Sequence, residues 1–121
     1  ADGLIGAAWW VPGVSYPGAS IFRESFIDRH GFDPDYHHAQ GYAAVWVAAD
    51  AVDRAETLTP AGIRESLQNT KLMTAYGPVS FESYGRKRQQ NRIPSLAVQW
   101  DGGALRTLRP RNLPAGPGQH Y

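Results

Sequence analysis

The feature that most constrains this chain is a long helical segment, predicted over residues 36–56, that is apolar or small on most sides through Ala49. One face is formed by Ala39, Tyr42, Ala43, Trp46 and Ala49. A helix that is apolar nearly all round is normally buried. We therefore expect it to lie between a sheet and another helix, with Trp46 in the core.

The rest of the chain supplies further elements for such a packing. Residues 4–11 are a short apolar run before Pro12-Gly13, which predicts a buried strand. Residues 20–30 have the spacing of an amphipathic helix, with Gly31 as its stop. Thr59 is a predicted N-cap, with Pro60 in the first turn of a helix that ends near Gln68.

The C-terminal part is richer in strand signals. Residues 78–83 and 94–100 alternate apolar and polar side chains, which predicts two strands of a hairpin, with Trp100 in the core. The other segments are predicted as a loop at 69–76, a polar connection at 84–93, a turn at 101–103 and a short return strand at 105–108. We expect one domain over residues 1–109 and a proline-rich tail over residues 110–121.

Composition removes several function classes. The chain has no cysteine, which excludes disulfides, a thiol nucleophile and a Cys-based metal site. It contains no apolar run long enough for a membrane span. Residues 1–6 do not resemble a signal peptide, so the protein is cytosolic, or has lost a signal, or begins upstream.

The residues favour neither a metal site nor a covalent enzyme. His37 and His38 are adjacent and point in different directions on a helix, while the other two histidines have no partner four residues away. No serine lies in a Gly-x-Ser-x-Gly motif, and no Gly-rich phosphate loop is present. Asp33 and Asp35 flank a proline in a turn, where carboxylates are usually structural. We predict no enzymatic activity, no metal and no cofactor.

The charge is distributed unevenly along the chain. Residues 1–83 hold five basic and ten acidic residues, and residues 84–121 hold seven basic residues and one acidic residue. The basic run of Arg86, Lys87, Arg88 and Arg92 is compatible with a polyanion partner. Because it lacks interleaved aromatic residues, we predict a solvated loop and no nucleic-acid binding.

Six motifs in a fixed order give a family resemblance over residues 4–109. They are Trp9–Pro12, Phe22 and Phe26 with Gly31, Gly41–Ala44, Thr59-Pro60 with Ile63, Arg64 and Leu67, Gly77–Phe81 with Gly85, and Gln99-Trp100 before Asp101-Gly102. Together they resemble the C-terminal part of a type I periplasmic binding protein, nearest to the branched-chain amino-acid-binding proteins of ABC transporters.

The resemblance implies a partial α/β fold, about the last third of its type, with helices packed on a small sheet and a C-terminal β-hairpin. Family members are much longer and have two lobes that close on a ligand between them. The chain would then be a fragment of an extracytoplasmic or periplasmic protein that captures an amino acid, an aromatic acid or an amide-like molecule for an ABC permease. Alone, it would self-associate through faces whose partners are missing.

The resemblance also suggests where a ligand would be contacted. The helix that begins at Tyr36 would face the cleft, which makes His37 and Tyr36 candidates, although His37 could simply start the helix. Trp9 and Trp10 point to opposite faces of their strand, and Trp10 is the predicted contact of the two, with core packing as the alternative. The alternative function is a stand-alone α+β ligand-sensing or protein-interaction domain.

Overall fold

The computed structural model describes residues 2–109 as three helices and six strands in two antiparallel sheets. The elements, in chain order, are β1 (Ile5–Ala8), α1 (Ala19–His30), α2 (Tyr36–Arg54), α3 (Pro60–Gln68), β2 (Lys71–Thr74), β3 (Gly77–Tyr84), β4 (Lys87–Asn91), β5 (Leu96–Asp101) and β6 (Ala104–Arg109). This mixed arrangement confirms the predicted α/β class. The predicted tail at 110–121 lies outside the described residues.

The first sheet has the strand order β1-β5-β6, so the predicted strand at 94–100 pairs with the return strand after it. Ile5 is opposite Gln99 and Ala8 is opposite Leu96, so the two ends of the described chain meet in this sheet. The β5–β6 turn is Gly102-Gly103, with φ values of 58° and 80°. Two consecutive residues with positive φ match the twist of a two-residue hairpin and favour glycine. The predicted turn and return strand are confirmed.

The second sheet has the order β2-β3-β4 and corrects three predictions. The predicted loop at 69–76 contains β2, and the predicted polar connection at 84–93 contains β4. The strands β3 and β5 do not pair with each other but lie in different sheets. Strand β4 is composed only of Lys, Arg, Gln and Asn, so it has no apolar alternation to reveal it. Its pairing with β3 rests on backbone hydrogen bonds.

The helix ends follow the capping signals in the sequence. Gly31 has φ 77°, and its N–H donates to the Ile27 carbonyl, which ends α1. The Thr59 hydroxyl accepts a hydrogen bond from the N–H of Gly62 at the start of α3. Both predicted caps are confirmed, and α2 ends two residues earlier than predicted, at Arg54.

The core lies where the loop after β1, the two longer helices and both sheets meet. Its buried members are Trp10, Val11, Val14, Tyr16, Ala19, Phe22, Ala39, Ala43, Met73, Ala75, Tyr76, Leu96 and Val98. Helix α2 lies along α3 and contacts β2, while α3 contacts β3. The residues of α2 that are buried in the packing of residues 2–109 are all alanines: Ala39, Ala43 and Ala51.

Several residues predicted in the core are exposed in this structure. Trp46 is 37% exposed and Trp100 is 39% exposed. Val45 is also exposed, and we call the side of α2 that carries Val45 and Trp46 its outer face. Strand β1 is also mostly exposed, against the predicted buried strand, because it forms an edge of its sheet. Within residues 2–109, no element covers the outer face of α2. These apolar surfaces need a partner that the described residues do not supply.

Candidate ligand-binding site

The turn before α2 is held by its own side chains. The Arg23 guanidinium pairs with both carboxylate oxygens of Asp33, which attaches the turn to α1. Pro34 between the two aspartates is fully buried. The Arg23 hydrogen bond lowers the pKa of the Asp33 carboxyl. The turn therefore presents the start of α2 in one fixed orientation.

Asp35 caps α2 in a reciprocal arrangement with His38. Its Oδ1 accepts hydrogen bonds from the N–H groups of His37, at 2.9 Å, and His38, at 3.2 Å. In return, the Asp35 N–H donates to Nδ1 of His38 at 3.1 Å, as in a capping box. The hydrogen bond from the His38 N–H is the main cause that lowers the pKa of the Asp35 carboxyl. Both aspartates thus have structural contacts.

Three exposed aromatic rings meet at the start of α2, and we call them the exposed aromatic cluster: Trp9, Tyr36 and His37. The Trp9 and Tyr36 ring centres are 6.1 Å apart at 67°, an edge-to-face contact. The Tyr36 and His37 rings are 3.9 Å apart at 32°. The His37 side chain is 67% exposed, with its Nδ1 3.8 Å from Oδ2 of Asp35, so much of the imidazole is open to another molecule.

The structure places Trp10 in the core and Trp9 at the surface, whereas Trp10 was the predicted ligand contact. The two indoles point to opposite faces, as expected, but Trp10 is 3% exposed while Trp9 is 54% exposed. Trp10 packs edge-on against Phe22, and its Nε1–H donates to the Ala75 carbonyl at 2.8 Å. Trp9 is therefore the indole at the surface beside Tyr36, whereas Trp10 has the core packing that was its alternative. Because the two adjacent side chains are identical, the sequence does not indicate which of them faces the core.

A groove of about 550 Å³ opens beside the exposed aromatic cluster, with Trp9 in its wall. Its walls are mainly apolar and come from α2, α3, β3, the end of β4 and the segment after it. The polar groups along it are the side chains of Gln40, Tyr76 and Asn91. The Gln40 Nε2 donates to the Tyr76 hydroxyl at 3.0 Å, and burial raises the pKa of Tyr76. Apolar walls with a few placed polar groups are typical of sites for small molecules.

The described residues show no arrangement for metal chemistry or membrane spanning. Within residues 2–109, no group of three His, Cys, Asp or Glu side chains is placed to hold a metal ion. No helix in the same range is long and apolar enough to cross a bilayer. What the site offers is a set of aromatic faces, one imidazole and an adjoining apolar groove.

A family comparison identifies the protein class. The model of the family described as periplasmic binding protein matches residues 1–104. The chain belongs to the periplasmic binding protein family. This match covers most of the 121 residues and includes every predicted site residue.

Solved structures share the fold of this periplasmic binding protein chain. A substrate-binding protein of an ABC transporter from Desulfitobacterium hafniense, in complex with Leu, has a TM-score of 0.71 at 23% identity, covering 89% of this chain and 32% of its own. A leucine-binding protein from Thermotoga maritima has 0.70 at 24%, covering 88% and 30%. An R. palustris solute-binding protein in complex with benzoate has 0.73 at 16%, covering 88% and 29%.

The chain spans about a third of the length of these solved structures. The family match and these structures confirm the predicted resemblance to part of a type I periplasmic binding protein. Sequence identities below a quarter establish the shared fold. A shared fold does not identify the ligand, which depends on the residues that line the site.

Proposed function

We propose that this chain is the C-terminal segment of an extracytoplasmic solute-binding protein that captures a small molecule for an ABC permease. The family match supports a solute-binding role, and the similar structures hold an amino acid or an aromatic acid. The observation that carries the proposal is the exposed aromatic cluster at the capped start of α2. Exposed rings fixed by a rigid turn form a recognition surface at low cost in conformational entropy.

The proposed ligand has a flat or apolar body and a polar end group. Trp9 and Tyr36 offer ring surface for the body, and the His37 imidazole offers a hydrogen-bond donor for a carboxylate or an amide oxygen. The backbone N–H groups of His37 and His38 already donate to Asp35, so at the start of α2 the polar contact falls to the His37 imidazole. An aromatic acid, an amide or an amino acid fits this description. Trp10 supports the site from the core by fixing the backbone that carries Trp9.

In this proposal the chain forms one side of a ligand-binding cleft, and the rest of the protein forms the other side. Such a chain, when isolated, self-associates because the outer face of α2 and the edge of β1 are exposed. The exposed face of α2 also fits the alternative of a stand-alone interaction domain. In that case the chain would be monomeric until its protein partner is added.

A thermal-shift screen of the whole protein that carries this chain tests the proposal. The screen uses L-leucine, benzoate and benzamide as probes, each added over a wide concentration range. A ligand at 100 times its dissociation constant stabilises the native state by about 2.7 kcal/mol. We expect at least one of these probes to raise the melting temperature. No shift with any of the three would count against a small-molecule role of the kind proposed.

A further inference from the structure

The β3–β4 hairpin concentrates positive charge on one exposed element. Arg86, Lys87, Arg88 and Arg92 lie on the hairpin or directly after it, and all four are exposed. Glu82 is the single acidic residue between positions 77 and 92. Among residues 2–109, none of the four cations belongs to an ion pair. Their charge is therefore available to an outside partner.

Two of these cations lie close to the same aromatic ring, that of Tyr84. The Arg92 guanidinium carbon lies 4.8 Å from the centre of the Tyr84 ring, and Nζ of Lys87 lies 5.9 Å from it. Lys87 is also the residue opposite Tyr84 in the β3–β4 register. The ring attraction holds two like charges near one another. A bound anion relieves their repulsion, and the guanidinium fork of Arg92 matches a carboxylate.

The surroundings of these cations indicate which kind of anion fits. The Tyr84 ring already contacts the two cations, and β4 itself has no aromatic side chain on which a nucleic-acid base could stack. The rest of β4 is Arg88, Gln89, Gln90 and Asn91, which provides no apolar side chain to insert into a bilayer. Amide and guanidinium donors along an exposed strand are suited instead to neighbouring carboxylates on a protein surface.

We propose that the β3–β4 hairpin is a docking site for an acidic protein surface with several adjacent carboxylates. The four cations belong neither to the exposed aromatic cluster nor to the lining of its groove, so the two proposals can fail separately. The interaction weakens as salt rises, because all four cations are exposed. It also depends on Tyr84, which carries no charge but positions Lys87 and Arg92.

The test measures the binding of the whole protein that carries this chain to a fluorescent hexaglutamate peptide at low salt. Arg86→Gln/Lys87→Gln/Arg88→Gln weakens binding by about tenfold or more, a change well above measurement error. The matched control Arg29→Gln/Arg64→Gln/Lys71→Gln removes the same charge elsewhere and weakens it much less. Tyr84→Leu weakens it severalfold at unchanged net charge. Circular dichroism confirms that each variant keeps its secondary structure.

Three results would overturn the proposal. One is an equal loss of peptide binding in both triple variants, which would mean that binding depends only on the net charge of the protein. Another is unchanged binding by Tyr84→Leu. The third is tighter binding, at the same salt, to phosphatidylglycerol vesicles or to single-stranded oligothymidylate than to the peptide. That result would assign the hairpin to a membrane or a nucleic acid.

Discussion

Trp10 and Ala75 are 65 positions apart in the sequence, yet the indole Nε1–H of Trp10 donates a 2.8 Å hydrogen bond to the Ala75 carbonyl. Both residues are buried, so neither group exchanges this bond for water. The bond connects the segment after β1 to the turn between β2 and β3. It fixes which of the two adjacent tryptophans is inside, and leaves Trp9 to join Tyr36 on the surface.

Replacing Trp10 tests this connection. Trp10→Phe keeps an aromatic ring but leaves the buried Ala75 carbonyl without its donor, which should lower the free energy of unfolding by about 1–3 kcal/mol. Urea denaturation measures the change. Trp100→Phe is the control, because Trp100 is largely exposed, and a surface substitution of this kind changes stability by about 0.5 kcal/mol or less. Equal effects of the two substitutions would show that the hydrogen bond contributes nothing.

The turn before α2 should make stability fall in acid. The folded-state pKa values of Asp33 and Asp35 lie below the ordinary value of 3.8. A lowered folded pKa means that the carboxylates stabilise the native state fully above that ordinary value and lose this effect as pH falls through the folded pKa. The urea midpoint should therefore fall as pH drops from 6 towards 3. Asp33→Asn/Asp35→Asn should flatten that dependence, and a variant with the same slope as the wild type would contradict the assignment.

Arg54 should couple the ends of α2 and α3. Its guanidinium pairs with Asp50 at 2.7 Å. It also donates to the Ser66 carbonyl in the last turn of α3 and to the Thr70 hydroxyl just after that helix. Arg54→Lys keeps the charge but cannot span these acceptors, so we expect a loss of about 1–2 kcal/mol in urea unfolding. Arg64→Lys, at an exposed position of α3, is the matched control and should be near neutral. Indistinguishable values would rule out the coupling.

Much of the fold was predictable because it follows from local chemistry. Gly31, Thr59 and Gly102-Gly103 each specify a helix end or a turn through their own backbone or side chain, and the structure has each of them in that role. Strand β4 was not predictable because its polar side chains have no inner and outer face. Its position depends on backbone pairing with β3, which leaves no periodic signal in the sequence.

The candidate site was predictable only in part. The start of α2 at Tyr36 follows from the Asp35 cap, so the positions of Tyr36 and His37 on that helix could be anticipated. The choice between Trp9 and Trp10 could not, because it depends on the distant Ala75 carbonyl. The apolar face of α2 at Val45 and Trp46 indicated burial, but the described residues contain nothing that covers it.

That uncovered face should drive self-association of the isolated chain. Val45 is 69% exposed and lies beside Trp46, so an association that buries both is favourable. Light scattering after size-exclusion chromatography should show a mass above the monomer's 13.3 kDa that rises with concentration. Val45→Glu/Trp46→Glu should shift the chain towards monomer, while Ser83→Glu on the hairpin should not. A monomer at every concentration would disprove the self-association.

The central claim is that the exposed aromatic cluster contacts a small-molecule ligand, and the most direct test is the dissociation constant of single-residue variants. The measurement is isothermal titration of the whole protein with the best probe from the thermal-shift screen. Trp9→Ala and His37→Ala should each raise the dissociation constant by about tenfold, or about 1.4 kcal/mol. Trp100→Ala, which removes an exposed indole elsewhere, should leave it unchanged. Equal dissociation constants for all three variants and the wild type would contradict the claim.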